Sequence, residues 1–379
     1  MTTAVIAGYA RTPFQLARKG RFVDVRPDDL AALTIKALVE RSGVDPAQLE
    51  DVLMGCAYPE AEQGSNLARI AVLLAGLPQS IGGATVNRFC GSSMTAIHIA
   101  AGQIAIGAGE AFICAGVESM TRVPMGGFNP SPNPRFQQPD APEAYISMGN
   151  TAENVAQRYG ISRVEQEQLA LESQQKAAAA QAAGRLAGEL VAVPTADGIV
   201  DSDGCLRPQT TLEGLAALKP AFRPEGSVTA GTASPLTDGA AAVLVCSEDF
   251  ARRNGLDILA RIRAVAVAGC PPEIMGMGPV PATRKALARA GLSIDDIDIV
   301  EINEAFGSQA VACLRELGIP REKVNLDGGA IAIGHPLGAT GARITGKAAQ
   351  LLKREGKRYA LATQCIGGGQ GVATILEAA

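Results

Sequence analysis

The 379-residue chain has no tryptophan, only two histidines and 4% aromatic residues. Scarce aromatics and a net charge of -4, with both signs interspersed, leave no basic stripe or stacking platform for nucleic acid. No apolar run is long enough to span a bilayer. The opening residues, MTTAVIAGYARTP, lack a basic segment followed by a long apolar one, so they read as a first strand and not as a secretory leader. Eight cysteines are scattered, with no CxxC pair and no histidine nearby at ligand spacing. That speaks against zinc and against a disulfide framework, and it fits a reducing cytoplasm. What is abundant is apolar residues, 47%, and glycine, 43 residues without a periodic repeat. A large core is available, and many backbone positions are free to turn tightly.

The pattern predicts strands at 3–8, 51–56, 84–87 and 111–116, separated by helices at 26–42, 65–76 and 92–107. Such alternation implies crossovers and a mainly parallel sheet buried on both faces. The order breaks at 120–145, which is rich in Pro, Gly and Asn. Helices resume at 148–159 and, after the capping-box sequence that begins at Ser162, run to about 184. A turn-rich stretch, 191–223, precedes a strand at 238–247. From 259 the opening order returns, with strands at 260–269, 297–302, 324–326, 359–365 and 371–376, and helices at 281–290, 305–317 and 339–354.

The letters repeat as well as the order. KALVERSGVDPAQLEDVLMG, from Lys36, matches KALARAGLSIDDIDIVEIN, from Lys285, and TVNRFCGSS matches KVNLDGGAI. This predicts two copies of one βαβαβαββ unit in an α/β fold. One copy is 1–117, completed by 237–258, and the other is 259–379. An inserted loop domain, 118–236, lies between them. A pseudo-twofold axis sets equivalent turns side by side, which brings the turn at Cys90 to the one at 328–335.

Cys90 falls where the apolar run 84–86 gives way to Ser92 and Ser93, candidate helix caps, and then an apolar helix. A cysteine just ahead of a helix N-terminus is expected to favour the thiolate, its nucleophilic form. Alone, Cys90 reads equally as a small buried hydrophobe. The functional reading needs a base, an acid and an oxyanion site elsewhere. Three stretches at strand ends of the second copy offer them: NEAF at 303–306, GGAIAIGHPLGATG at 328–341 and CIGGGQG at 365–371. His335, constrained by Pro336 and flanking glycines, is the candidate base. Its surroundings resemble a phosphate-binding loop, but His335 stands where that loop needs lysine. His98 lies in an apolar helical stretch and reads as structural. Cys365 alone reads as a buried strand residue. The glycines after it let N–H groups converge on one oxygen, as an oxyanion hole for a thioester requires. Asn303 is either a strand-terminal cap or the holder of a water or substrate oxygen. Glu304 either supports Asn303 or caps the next helix.

Taken together and in this order, VNRFCGSSM, NEAF, GGAIAIGHPLGATG and CIGGGQG resemble the thiolase family, over essentially the whole chain. The resemblance implies a five-layered α-β-α-β-α fold, coenzyme A thioester chemistry and a homodimer or homotetramer. It makes Cys90 the acylated nucleophile, His335 its activator, and Cys365 the group that exchanges a proton with the leaving or attacking carbon. It implies one oxyanion hole from His335 and a water held by Asn303, and another from the N–H groups of Cys90 and Gly367. Met148, Phe222 and Ser234 match acyl- and pantetheine-tunnel positions, Phe306 of NEAF joins the substrate contacts, and Arg207 matches a position near the coenzyme's phosphates. CoA is a substrate on this reading, and no permanently bound cofactor or metal is implied. Ser147 stands where short-chain biosynthetic members place histidine, and NRFCGSSM resembles the β-subunit of bacterial fatty-acid oxidation complexes. Both lean towards 3-ketoacyl-CoA thiolysis, with a multifunctional α-subunit as a partner to be looked for. Pro235, in GTASPLTDG, departs from the commoner Ser-Gly pattern. The alternatives are an acetyl-CoA acetyltransferase and, in another class, a non-catalytic CoA- or lipid-binding protein of the same fold.

Overall fold

A computed structural model describes residues 2–379. The first half runs β1 (Ala4–Arg11), α1 (Pro27–Ser42), β2 (Asp51–Gly55), α2 (Leu67–Leu74), β3 (Gly82–Val86), α3 (Ser92–Ala105) and β4 (Ala111–Ser119). Helices α4 (Met148–Arg158) and α5 (Arg163–Ala182) then precede β5 (Thr237–Ser247). The second half runs β6 (Ala260–Gly269), α6 (Pro279–Ala290), β7 (Ile299–Ile302), α7 (Gly307–Leu317), α8 (Thr340–Glu355), β8 (Tyr359–Ile366) and β9 (Gln370–Glu377). Local chemistry sets the boundaries. In α1, Pro27 opens the helix, Asp28 and Asp29 face its positive end, and Gly43 stops it with φ +72.

The strand order, β7-β8-β9-β6-β1-β5-β4-β2-β3, is one motif written twice. In the first half, β2 lies parallel to β3 and β4, while β5 is antiparallel to β4 and β1. In the second, β7 lies parallel to β8, while β9 is antiparallel to β8 and β6. The two half-sheets join through the short antiparallel pairing Val5↔Arg261 and Ile6↔Ala260. The sheet is therefore mixed, not mainly parallel as the alternation predicts. The last strand of each copy returns without a crossover helix in the right place to run parallel; in the second copy β8 and β9 are joined by a glycine turn. Three apolar layers surround these half-sheets. Ile35, Leu38 and Val72 of α1 and α2 pack on Met54 and Leu244. Met94, Ile97, Ile344 and Leu351 of α3 and α8 fill the middle, between Val243 and Ile366. Val280, Ala286, Val311 and Leu314 of α6 and α7 cover Ile302 and Ile375. The result is five layers, α-β-α-β-α.

The strand expected at 324–326 is reduced to one parallel bridge, Val300↔Val324. Asn325 turns left-handed there, with φ +45, and its amide bonds the Ile302 N–H and carbonyl, each at 3.0 Å, in place of a ladder. The helix expected from 305 begins at Gly307, because Phe306 is still extended and bridges Ala233. The one expected from 65 begins at Leu67, after Ser65 and Asn66 take φ +54 and +53. Among the described residues no helix is long and apolar enough to cross a membrane.

Candidate active site

Between β3 and α3 the chain makes a strained turn. Phe89, directly before Cys90, has φ +44, which costs a non-glycine residue about 1–3 kcal/mol. Three hydrogen bonds hold it. Asn87 Oδ1 accepts from the Phe89 N–H at 2.9 Å, Ser92 Oγ accepts from the Arg88 N–H at 2.9 Å, and Ser92 Oγ donates to the Phe89 carbonyl at 2.6 Å. Ser92 and Ser93 therefore do not cap α3; its cap position is Gly91, without a side-chain bond. Ser92 fixes the turn behind it, and Ser93 Oγ accepts from the Ala342 N–H at 2.8 Å. From the second half-sheet, Gln364 Nε2 donates to the Cys90 carbonyl. Close approach needs glycine here: a Cβ on Gly341 would lie 2.3 Å from the Met94 nitrogen.

His335 follows Gly334, whose φ is +110. Its N–H donates to Thr237 Oγ1 at 3.0 Å. Its Nδ1 lies 2.6 Å from Thr340 Oγ1, and that hydroxyl donates its only proton to the Pro336 carbonyl at 2.9 Å. Thr340 must then accept from Nδ1–H, which leaves Nε2 unprotonated. Asn303 Nδ2 stands 3.3 Å from Nε2, and Asn303 Oδ1 is buried with no protein partner. Burial, helped by the Arg343 charge, brings His335 down to about 3, so the imidazole is neutral at physiological pH.

The Gly367 N–H and its own N–H lie near enough to the Cys90 thiol to lower its pKa. These favour the thiolate, as the sequence reading expects, but burial outweighs them. With Glu118 adding its negative charge, Cys90 is pushed up to about 12. The expectation of a resting thiolate is therefore corrected: the pair rests as a thiol beside a neutral imidazole. Burial, and then Cys90, likewise push Cys365 well above the ordinary thiol value.

Cys90, His335 and Cys365 open onto one cavity of about 260 Å³. Met148, Phe222, Ser234 and Phe306 line it too. The Phe222 and Phe306 rings meet edge to face, with centroids 5.9 Å apart, and Ser234 Oγ donates to the Ala305 carbonyl at 3.1 Å. Asn303 sits behind His335. Gly367 aims its N–H at Cys90 from a turn that continues with Gly368 and Gly369 at φ +78 and +81. Arg207 is not on the wall. Its side chain is exposed, and its N–H donates to Gln174 Oε1 at 2.8 Å.

Sequence reasoning missed much of the support. Met120, Met125, Leu236, Met275 and Leu337 line the cavity, yet scattered single residues carry no periodic signal. Glu118 is buried and accepts from the Ala57 N–H (2.8 Å), the Gly338 N–H (2.9 Å) and Gln63 Nε2 (2.9 Å), joining loops of both halves around Cys90. Glu304 neither supports Asn303 nor caps α7. It accepts from Ser173 Oγ (2.7 Å), Asn325 Nδ2 (2.7 Å) and the Ile331 N–H (3.2 Å), which ties α5 to the loop that carries His335. His98 bonds Thr374 Oγ1 through Nε2 at 2.8 Å, a structural contact away from the cavity.

Residues 4–249 match the family model described as thiolase, N-terminal domain, and residues 256–378 match thiolase, C-terminal domain. A 3-ketoacyl-CoA thiolase from Pseudoalteromonas translucida is 49% identical over 390 residues, covering 100% of this chain and 99% of that relative. One from Bacillus subtilis is 46% identical over 390 residues, with 100% of both covered. The crystal structure of human mitochondrial 3-ketoacyl-CoA thiolase in complex with CoA matches with a TM-score of 0.91 and 38% identity, covering 100% of this chain and 98% of that one. The two matched segments meet between β5 and β6, where the duplicated halves divide, and the chain belongs to the thiolase family.

Proposed function

We propose that the chain is a 3-ketoacyl-CoA thiolase, an acyltransferase that uses CoA to cleave a 3-ketoacyl-CoA into acetyl-CoA and a shortened acyl-CoA. The observation that carries this reading is one apolar cavity onto which two cysteines and a neutral imidazole open. Cys90 Sγ attacks the C3 carbonyl and passes its proton to His335 Nε2. The C2–C3 bond breaks, and the acetyl-CoA enolate takes a proton from Cys365. The Cys365 thiolate then takes the proton of the CoA thiol. The CoA sulfur attacks the Cys90 thioester, and Cys90 leaves, regaining its proton from His335. The N–H groups of Cys90 and Gly367 stabilise one oxyanion; His335, with an Asn303-held water, stabilises the other.

In the same proposal Met148, Phe222, Ser234 and Phe306 wall the acyl and pantetheine path, and Arg207 meets the coenzyme's phosphates outside the cavity. Residues 118–236 form the unit that covers the site, between the core halves 1–117 with 237–258 and 259–379. The protein works in the cytoplasm as a homodimer or homotetramer, with no permanently bound cofactor. A multifunctional α-subunit is the partner to seek by co-purification.

The test is thiolysis of four- to ten-carbon 3-ketoacyl-CoA by the purified full chain, with acid quenching and mass spectrometry of the trapped acyl group. The expected result is turnover with the adduct on Cys90. CoA binding without turnover of any substrate would move the chain to the non-catalytic alternative.

A further inference from the structure

The polar pair that this mechanism leaves unused lies behind His335. Glu301 on β7 and Arg343 on α8 are both buried, and one hydrogen bond joins them, Arg343 Nη1 to Glu301 Oε2 at 3.0 Å. Glu301 Oε1, Arg343 Nε and Arg343 Nη2 have no partner among the described residues. A buried ion pair so thinly satisfied is poor value for stability, since apolar residues of similar volume often do better.

Its position supplies another reason. Glu301 and Asn303 are two residues apart along one strand line, so they face the same side. Thr340 and Arg343 are three apart on α8, so they share a helix face. Asn303 stands against Nε2 of His335, and Thr340 against Nδ1. The pair thus ties the strand that holds one imidazole nitrogen to the helix that holds the other. The Arg343 charge also reaches His335, where it opposes protonation.

We propose that Glu301 and Arg343 are positioning residues for His335: their ion pair clamps β7 to α8 around the imidazole. The proposal rests on the reading of His335 as the base for Cys90. The other charged groups that face Glu301 are largely occupied with one another. Lys347, also on α8, bonds Glu189 at 2.9 Å and Asp327 at 2.7 Å, and Arg11 bonds Glu189 at 2.7 Å. Tyr9 of β1, whose hydroxyl is unpartnered, feels Glu301 and Arg343 alike. Burial, opposed by Arg343 and Lys347, pushes Glu301 up to about 7. As pH falls through neutrality Glu301 takes up a proton, and the clamp loses its ionic character.

The experiment is alkylation of Cys90 by iodoacetamide at pH 8, read at that residue by mass spectrometry, with melting temperatures in parallel. Glu301→Gln and Arg343→Met each break the clamp and should slow alkylation by about tenfold. The same substitutions in a His335→Ala background should change the rate little, because the imidazole they position is gone. Glu301→Asp and Arg343→Lys keep the ion pair and should keep the wild-type rate. Wild-type rates in Glu301→Gln and Arg343→Met, or an equal slowing with and without His335, overturn the proposal. If Arg343→Met does not fold, equal rates for Glu301→Gln and Glu301→Asp overturn it. Alkylation needs no acyl substrate. A wild type that cleaves no 3-ketoacyl-CoA while these rate differences appear would sink the proposed function and leave the positioning role standing.

Discussion

Ser93 Oγ accepts a hydrogen bond from the Ala342 N–H at 2.8 Å, although the two residues belong to opposite halves of the duplicated chain. That bond joins the N-terminal turns of α3 and α8. Each helix is preceded by a turn that carries a reactive side chain, Cys90 for α3 and His335 for α8. Duplication thus becomes chemistry: the pseudo-symmetric contact brings the proposed nucleophile of one copy to the proposed base of the other. It also gathers the starts of two helices, with their positive dipole ends, near the cavity.

Cys365 opens onto the same cavity as Cys90 but is buried deeper, and both thiols rest protonated. Cys365→Ala should therefore still acylate Cys90 from an acyl-CoA, because that step needs only His335. It should lose carbon–carbon cleavage and condensation by about 10²–10⁴-fold, the usual contribution of a positioned proton donor. Rapid-quench mass spectrometry and a thiolysis assay on one preparation separate the two steps. Near wild-type cleavage would assign the proton transfer to another group.

The next prediction concerns the base. Burial pushes Cys90 up to about 12, so the free thiol ionises very little near neutrality. Its reactivity then depends on passing the proton to Nε2 of His335. His335→Ala should slow iodoacetamide alkylation of Cys90 at pH 8 by about 10²-fold, with recovery towards high pH. Thr340→Val removes the acceptor of Nδ1–H and frees the ring to take the other tautomer, so it should slow alkylation at pH 8 without moving the high-pH limit. Equal alkylation of wild type and His335→Ala at pH 8 would show that Cys90 ionises without this imidazole.

How far the sequence carries depends on the kind of signal. The repeat was legible because each copy must rebuild the same buried units, so Lys36 and Lys285 open matching stretches. Cys90, His335 and Cys365 stand out because glycines crowd around them, and the structure puts all three on one cavity. The antiparallel return of β5 and β9 was not legible, since apolar runs give no strand direction. Cys90's ionisation departs from the sequence expectation for a related reason: a helix start is local and visible, whereas desolvation is a property of the assembled core. Glu118 and Gln364 hold the Cys90 turn from distant parts of the chain, and single polar residues in strands announce no partner.

His335 is buried and His98 half-buried, and desolvation brings both down to about 3. Between pH 3 and 6.5 the unfolded chain binds more protons than the folded one at these two sites. Their contribution to stability is therefore full above pH 6.5 and is lost as pH falls through that window. Each histidine contributes a slope of at most about 1.4 kcal/mol per pH unit. His98 bonds Thr374 far from the cavity, so His98→Gln isolates one of the two. Urea unfolding at pH 4.5, 5.5 and 7.5 should show the wild type losing stability faster than the variant on acidification. A gap that stays constant with pH would mean that His98 takes up its proton in the folded state.

Ser147 sits at the start of α4 and lines the cavity beside Met148 and Phe222. Short-chain relatives, on the resemblance, place an imidazole there. A serine leaves room only if no neighbour fills it, and the aromatic candidates Tyr145 and Phe128 do not. Tyr145 is 58% exposed, accepts from the Asn133 N–H at 3.2 Å and packs on Phe136; Phe128 is 53% exposed. Neither lines the cavity. Met120, Met125, Leu236 and Leu337 supply apolar wall for further methylenes. Each added methylene in a fitting apolar pocket is worth roughly 1–3 kcal/mol, or 10–200-fold. The wild type should therefore prefer substrates longer than acetoacetyl-CoA, and Ser147→His should shift the preference back towards four carbons while leaving Cys90 acylation by acetyl-CoA intact. The measurement is kcat/KM for four-, six-, eight- and ten-carbon 3-ketoacyl-CoA on both proteins. Acetoacetyl-CoA as the best wild-type substrate by tenfold or more would turn the assignment to acetyl-CoA acetyltransferase, because the room beside Met148 would then serve the pantetheine arm and not the acyl chain.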